Sequence, residues 1–163
     1  MSEDTSPLDG KRVLIVDDEP DILESLEDLL PMCEIQTAES FEEARELLDA
    51  VIFDVAILDI MGVEGYELLK IAARRKMTAV MLTAYALTPD DVAKSYNEGA
   101  AYYVPKEEMA SIALFLSEVL AAKAKGENTW SGWVDRMSSF CQRKFKPDWQ
   151  SDDRIYWEKF PFH

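Results

Sequence analysis

Histidine occurs once in this 163-residue chain, at position 163, and cysteine twice, at Cys33 and Cys141. A single terminal histidine excludes a histidine-based phosphotransfer helix. Two distant cysteines without neighbouring histidines suggest neither a disulfide framework nor a zinc site. Long hydrophobic runs are also missing. The best candidate, Ile112 to Ala122, is interrupted by Ser117 and Glu118 and is too short to span a bilayer. The first twelve residues are polar and acidic, so no secretory leader is expected there and the chain is expected to be cytoplasmic, with no membrane insertion. Positive charge is scarce as well: residues 1–125 hold 11 Lys and Arg against 26 Asp and Glu, whereas residues 126–163 hold 6 of each. A surface of that sign repels phosphate backbones and anionic lipid, so a protein partner is expected rather than nucleic acid. No internal repeat or low-complexity tract is present.

What the chain does have is strands and helices in alternation. The run Arg12 to Asp17 reads as a strand, and Ile22, Leu23, Leu26, Leu29 and Leu30 then recur at helical spacing after Pro20. Glu34 to Ala38 reads as a short strand. Ser40 with Glu43 three residues on is a capping-box pattern for a helix carrying Phe41, Ala44, Leu47 and Leu48. Asp54 to Asp59 is a third strand, followed by a helix near 64–75 that turns Leu68, Leu69 and Ala72 inward. Met77 to Thr83 is a fourth strand, and Thr88-Pro89-Asp90-Asp91 opens a helix that stops at Gly99. Tyr102 to Lys106 supplies the fifth strand. The last helix is expected from about Glu107, with Met109, Ile112, Leu116, Val119 and Leu120 inward. Five such units predict an α/β fold: a five-stranded, doubly wound parallel sheet of the flavodoxin type. The expected organisation is an N-terminal tail over 1–10, one domain over 11–125 and an extension over 126–163.

Four of the strands end on chemically active side chains. Ligands in an open parallel sheet bind along the carboxyl ends of the strands, so Asp17, Asp18, Asp59, Thr83 and Lys106 are expected to converge. Grouped carboxylates repel unless a hard cation neutralises them, and oxygen-only ligands favour Mg2+. Asp18 and Asp59 are the expected direct ligands, with Asp17 acting through water or as a second ligand. A backbone carbonyl just after Asp59 would complete the shell. With its charge screened, Asp59 can serve as a nucleophile toward a phosphoryl group, and Lys106 with the Thr83 hydroxyl would stabilise the charge that develops.

This constellation resembles the receiver domain of bacterial two-component response regulators, the CheY-like family. The resemblance covers about residues 8–125. It is carried by Asp17-Asp18-Glu19, by Asp59, by Thr83-Ala84, and by Gly99 through Lys106. It implies phosphorylation of Asp59 by a sensor histidine kinase, dependence on Mg2+, and a phosphorelay switch in which Thr83 moves toward the phosphoryl group while Tyr103 rotates inward. The neighbouring Tyr102 has the opposite facing. The switch would remodel the face made by the fourth helix, fifth strand and fifth helix. The resemblance further implies that Met61 supplies the carbonyl to the metal, and that the Met61 and Tyr85 side chains control access of hydrolytic water. No external substrate is expected to be turned over, so the chain is not expected to be a dedicated enzyme. Two departures stand out. Gly65 stands six residues after Asp59 where the family has a glycine at eight, and Lys106 follows a proline rather than preceding one.

Nine of the chain's 17 aromatic residues, including all four tryptophans, fall in the final 38 residues. Trp130, Trp133, Met137 and Phe140 lie on one helical stripe, and Trp149 and Trp157 follow after Lys146-Pro147. These six are the candidate interface residues. The extension either docks an unknown downstream protein, dimerises the chain, or covers its own receiver. The alternative to a working switch is a degenerate or phosphate-sink receiver acting as a structural dimer.

Overall fold

A computed structural model describes residues 6–84, 89–130, 132, 133, 136 and 137. The strands are β1 (Arg12–Val16), β2 (Glu34–Ala38), β3 (Val55–Asp59), β4 (Thr78–Thr83) and β5 (Tyr102–Pro105). The helices are α1 (Pro20–Leu29), α2 (Phe41–Ala50), α3 (Gly65–Arg74), α4 (Pro89–Asn97) and α5 (Ile112–Ala124). All strand pairs are parallel, in the order β2-β1-β3-β4-β5. The doubly wound sheet expected from the alternating pattern is therefore present. Strand order reverses between β1 and β3, which pair Val13 with Val55 and Val16 with Leu58, and the crevice at such a reversal is where this architecture binds ligands.

Helices on both faces explain why β3 and β4 are apolar without alternation and buried throughout. Leu23, Leu26 and Leu30 from α1 and its cap, Ala44 and Leu48 from α2, and Leu68, Leu69 and Ala72 from α3 close over the sheet. The backbone N–H of Leu30 caps α1 on the Glu27 carbonyl, and Pro31 behind it disfavours a further helical residue. At α2, Ser40 accepts a hydrogen bond from the Glu43 N–H at 3.2 Å. The Glu43 carboxylate reaches back to the N–H of Glu39 at 2.8 Å, one residue earlier than a capping box would have it.

Two expectations are corrected. The final helix does not start at Glu107: Lys106–Ser111 forms a 3-10 helix, and α5 begins at Ile112. Met109 is the only large apolar side chain in that stretch and packs against the core only partly buried, so the continuous buried set of the helix begins at Ile112. The inward set also differs, because Phe115 is buried with Ile112, Leu116 and Val119, while Met109 and Leu120 are half-buried. Within the expected N-terminal tail, Leu8 is buried and Gly10 donates its N–H to the Met32 carbonyl, so residues 6–10 are joined to the domain. No helix among the described residues is long and apolar enough to cross a membrane.

The two outer strands are treated differently. β2 exposes Glu34, Gln36 and Thr37, whereas all four residues of β5 are buried.

Candidate functional site

Asp17 follows β1, Asp59 ends β3, Thr83 ends β4 and Lys106 follows β5, so the topology delivers all four to one end of the sheet. Asp17 is fully buried, and its carboxylate accepts the N–H of Glu19 at 2.9 Å, which tightens the turn into α1. Asp59 is 4% exposed and Thr83 3%, whereas Asp18 is exposed. Ligand oxygens of Asp17, Asp18 and Asp59 lie within 4.8 Å of one another. Lys106 enters this group as the counter-charge. Its Nζ lies 2.9 Å from Asp17 Oδ2, 3.1 Å from Glu19 Oε1 and 3.5 Å from Asp59 Oδ1.

The electrostatics follow from that packing. Burial pushes the Asp59 carboxyl up to about 7, the Asp17 charge adds to the push, and Lys106 only partly offsets it. Burial also raises Asp17, against its bonds to Lys106 and to the Glu19 N–H. For Lys106, burial works against the charged form, but bonds to Asp17 and Glu19 prevail and hold the ammonium above its ordinary value. Two buried acids share one lysine, so negative charge is in excess.

The short loop between β3 and α3 is built on glycines. Gly65 donates its N–H to the Ile60 carbonyl, and a Cβ there would lie 2.2 Å from the Asp59 carbonyl oxygen. That contact is too close for any side chain, so α3 can begin directly over the strand end only with glycine. Glu64 immediately before it takes a left-handed backbone, φ 53°, which is uncommon for a non-glycine residue. Gly62 has φ +84°, and a Cβ on it would come within 2.7 Å of the Asp18 carboxylate. The loop thus reaches around the acids with two residues fewer than the pattern noted above.

An open cleft of about 370 Å³ is lined by Asp18, Glu19, Asp59, Met61, Gly62, Ala84 and Lys106. Met61 sits at its mouth, 54% exposed. Glu19 is the partner that reading the strand ends underweighted: it belongs to the acidic run, but only the fold shows it bonding Lys106. The three carboxylates form a hard, oxygen-only donor set with two members buried, the chemistry that suits Mg2+. Tyr85 lies outside the described residues.

Tyr103 is fully buried in β5, and so is its neighbour Tyr102 at 2% exposure. The extension accounts for part of this. Trp130, Trp133 and Met137 are buried in the domain's own hydrophobic core, and Trp133, Arg136 and Met137 are helical. Phe140, Trp149 and Trp157 lie outside the described residues.

Comparison with known proteins agrees with this geometry. Residues 13–114 match the response regulator receiver domain. Among curated relatives, the chain is 34% identical over 135 residues to the response regulator protein PilR of Pseudomonas aeruginosa, covering 75% of this chain and 30% of that protein. It is 35% identical over 103 residues to the two-component response regulator ARR18 of Arabidopsis thaliana, covering 60% of this chain and 16% of that protein. The chain thus spans under a third of either relative. Among solved structures, a CheY-like receiver domain protein from Methanospirillum hungatei superposes with TM-score 0.65 at 32% identity, covering 72% of this chain and 98% of that one. The response regulator TrrA of Thermotoga maritima, solved in complex with Mg2+-BeF, superposes with TM-score 0.59 at 34% identity, covering 67% and 98%. The sheet order, the acids at its reversal point and the matched span place residues 13–114 in one family: this chain belongs to the response regulator receiver domains of two-component systems.

Proposed function

We propose that this protein is a phosphorylatable switch in which Asp59 accepts a phosphoryl group from a sensor histidine kinase. The observation that carries the reading is the buried Asp59 carboxylate, set among Asp17, Asp18 and Lys106 at the mouth of an open cleft. The complete set of acids, hydroxyl and lysine favours this over a degenerate receiver. With its carboxyl pushed up to about 7 by burial and the Asp17 charge, Asp59 holds its proton more tightly than an ordinary carboxyl and is a poor nucleophile by itself. Bound Mg2+, held by Asp18 and Asp59 with Asp17 close by and the Met61 carbonyl completing the shell, would supply the positive charge that keeps Asp59 ionised.

An Asp59 carboxylate oxygen then attacks phosphorus as the bond from phosphorus to the donor nitrogen breaks. The departing imidazole keeps the electron pair, and the phosphoryl group ends on Asp59. Lys106 exchanges part of its contact with Asp17 and Glu19 for the phosphoryl oxygens, and the Thr83 hydroxyl, drawn toward the same group, donates to them. Tyr103, three residues before Lys106 on the same strand, is the switch aromatic. The chain turns over no external substrate. Its output is contact with a downstream protein, made in the cytoplasm and without nucleic acid, in keeping with the acidic receiver surface.

The deciding experiment is intact-mass analysis after incubation with Mg2+ and acetyl phosphate. One phosphoryl adduct is expected on the wild type, none on Asp59→Asn, and none after chelation. An adduct that survives Asp59→Asn would refute the assignment. Met61 at the cleft mouth supports slow hydrolysis of that adduct. Rapid loss of the phosphoryl group from the purified protein would count against it.

A further inference from the structure

The extension grips two carbonyls, one within β5 and one just before it. Trp130 Nε1 donates to the Ala100 carbonyl at 2.9 Å, and Trp133 Nε1 donates to the Tyr103 carbonyl at 2.8 Å. Ring contacts extend the grip along β5 and onto α4. Trp130 stacks on Tyr102 at 6.3 Å between centroids and meets Tyr96 of α4 edge-on at 5.7 Å, while Trp133 meets Tyr103 edge-on at 6.4 Å. The two indoles touch each other at 5.4 Å. Asn128 Oδ1 accepts the Trp130 N–H at 2.8 Å to fix the entry of the segment, and Arg136 pairs with Glu118 on α5. Trp133 is fully buried, Trp130 2% exposed and Met137 1%. The segment therefore occupies the face made by α4, β5 and α5.

At the other end of the same strand stands Lys106, bonded to Asp17 and Glu19 and 3.5 Å from Asp59. β5 is only four residues long, so about 10 Å of backbone separates the Tyr103 carbonyl from the residue that meets the phosphoryl group. We infer that the extension, through Asn128, Trp130, Trp133, Arg136 and Met137, is a covalently attached ligand of the α4–β5–α5 face, and that its docking is positively coupled through β5 to filling of the acid pocket. Both events need β5 in one position: the indoles to reach the two carbonyls, and Lys106 to reach Asp59. Whichever event comes first therefore favours that position of the strand, and the second event then finds it set. The coupling is reciprocal by linkage. This inference rests on the phosphoacceptor reading of Asp59 and adds to it an intramolecular partner for the switch face.

The test uses the full chain with Mg2+ and beryllofluoride as a phosphoryl mimic. Loading is followed by the bound 19F signal, and cap opening by hydrogen exchange at the Trp130 and Trp133 indole N–H groups. Exchange at both indoles is expected to slow at least threefold on loading of the wild type and to stay unchanged in Asp59→Asn. Trp133→Phe, which keeps a ring but removes the N–H, is expected to weaken beryllofluoride binding. A bound 19F signal with indole exchange unchanged or faster overturns the coupling while leaving Asp59 as acceptor. Absence of a bound 19F signal in the wild type overturns the acceptor reading and the coupling with it.

Discussion

The two edges of the sheet solve one problem in opposite ways. An outer strand presents unpaired backbone groups that can recruit another chain, and proteins either make such a strand polar or cover it. β2 is made polar, exposing Glu34, Gln36 and Thr37. β5 is the apolar run Tyr102-Tyr103-Val104-Pro105, buried throughout, with Trp133 donating to the Tyr103 carbonyl within it and Trp130 to the Ala100 carbonyl just before it. The covered edge is the one that leads to Lys106. The open edge leads to Glu39 and the cap of α2, and its link to the acids is a backbone one, the Asp17 N–H donating to the Ala38 carbonyl at 3.1 Å. The edge proposed to transmit a change is thus built from aromatic contacts that can be made or broken together, while the other edge is left to solvent.

Removing the cover should break the comparison most forcefully. Trp133→Ala deletes a fully buried indole and should cost about 3–5 kcal/mol. Chemical denaturation would measure this, and β5 should begin to behave as an unprotected edge, with self-association rising with concentration. By contrast, Thr37→Ala on exposed β2 should stay within about 0.5 kcal/mol. Similar losses at both positions would show that the cover contributes nothing special.

Between the edges, the strand ends bury charge without covering it, and the effect there should have the opposite sign. The Asp59 carboxyl is pushed up to about 7 from 3.8, chiefly by burial and next by Asp17. The folded state therefore binds this proton more tightly than the unfolded state. Asp59 imposes no penalty below pH 3.8, and stability falls as pH rises from about 4 to about 7. In the absence of Mg2+, Asp59→Asn should remove that fall and stabilise the protein at neutral pH, by on the order of a few kcal/mol. Lys106 keeps Asp17 and Glu19 as partners in the variant. Melting curves of both proteins from pH 4 to pH 8, with and without Mg2+, check the sign. Mg2+ should raise the wild type at neutral pH and close the gap. A wild type whose stability rises through that range would contradict the assignment.

These contrasts also mark what was legible in the chain. Asp17, Asp59, Thr83 and Lys106 could be read as site residues because each closes an apolar run, and a parallel sheet gathers such ends at one edge. The strand order that sets Asp17 beside Asp59 came from the resemblance and the fold, since nothing within a single run prints its neighbour. α5 was harder, because Ile112, Leu114, Phe115 and Leu116 form a nearly continuous apolar stretch in which no face stands out. Hence Phe115 was missed as a core residue and Leu114, 45% exposed, looks the same in sequence. The Trp130-Trp133-Met137 stripe announced burial, but helical spacing cannot say against what. The shortened loop after Asp59 could be counted, whereas the contact that makes Gly65 obligatory exists only once α3 is folded over the strand end.

Gly65 offers a smaller, sharper test of the pocket. A methyl group there meets the Asp59 carbonyl, so Gly65→Ala must shift either α3 or the strand end, at about 1–3 kcal/mol. The displaced carbonyl belongs to the proposed phosphoacceptor, so phosphoryl loading should fall by more than the stability loss explains. Loading assayed well below the melting temperature separates the two. Full loading in a destabilised variant would mean that the loop can yield without moving Asp59.

The smallest effect belongs to the open side. Ser40 caps α2, next to β2, through one hydrogen bond to the Glu43 N–H at 3.2 Å, and Ser40→Ala should cost about 1 kcal/mol. Because this cap touches neither β5 nor the acids, the loss should be the same at pH 5 and pH 8, and the same with and without Mg2+ or beryllofluoride. The matching change at the covered edge, Trp133→Phe, should by contrast change with loading. A Ser40→Ala loss that varied with loading would mean that the switch reaches the open edge as well, and that the sheet moves as a whole rather than through β5.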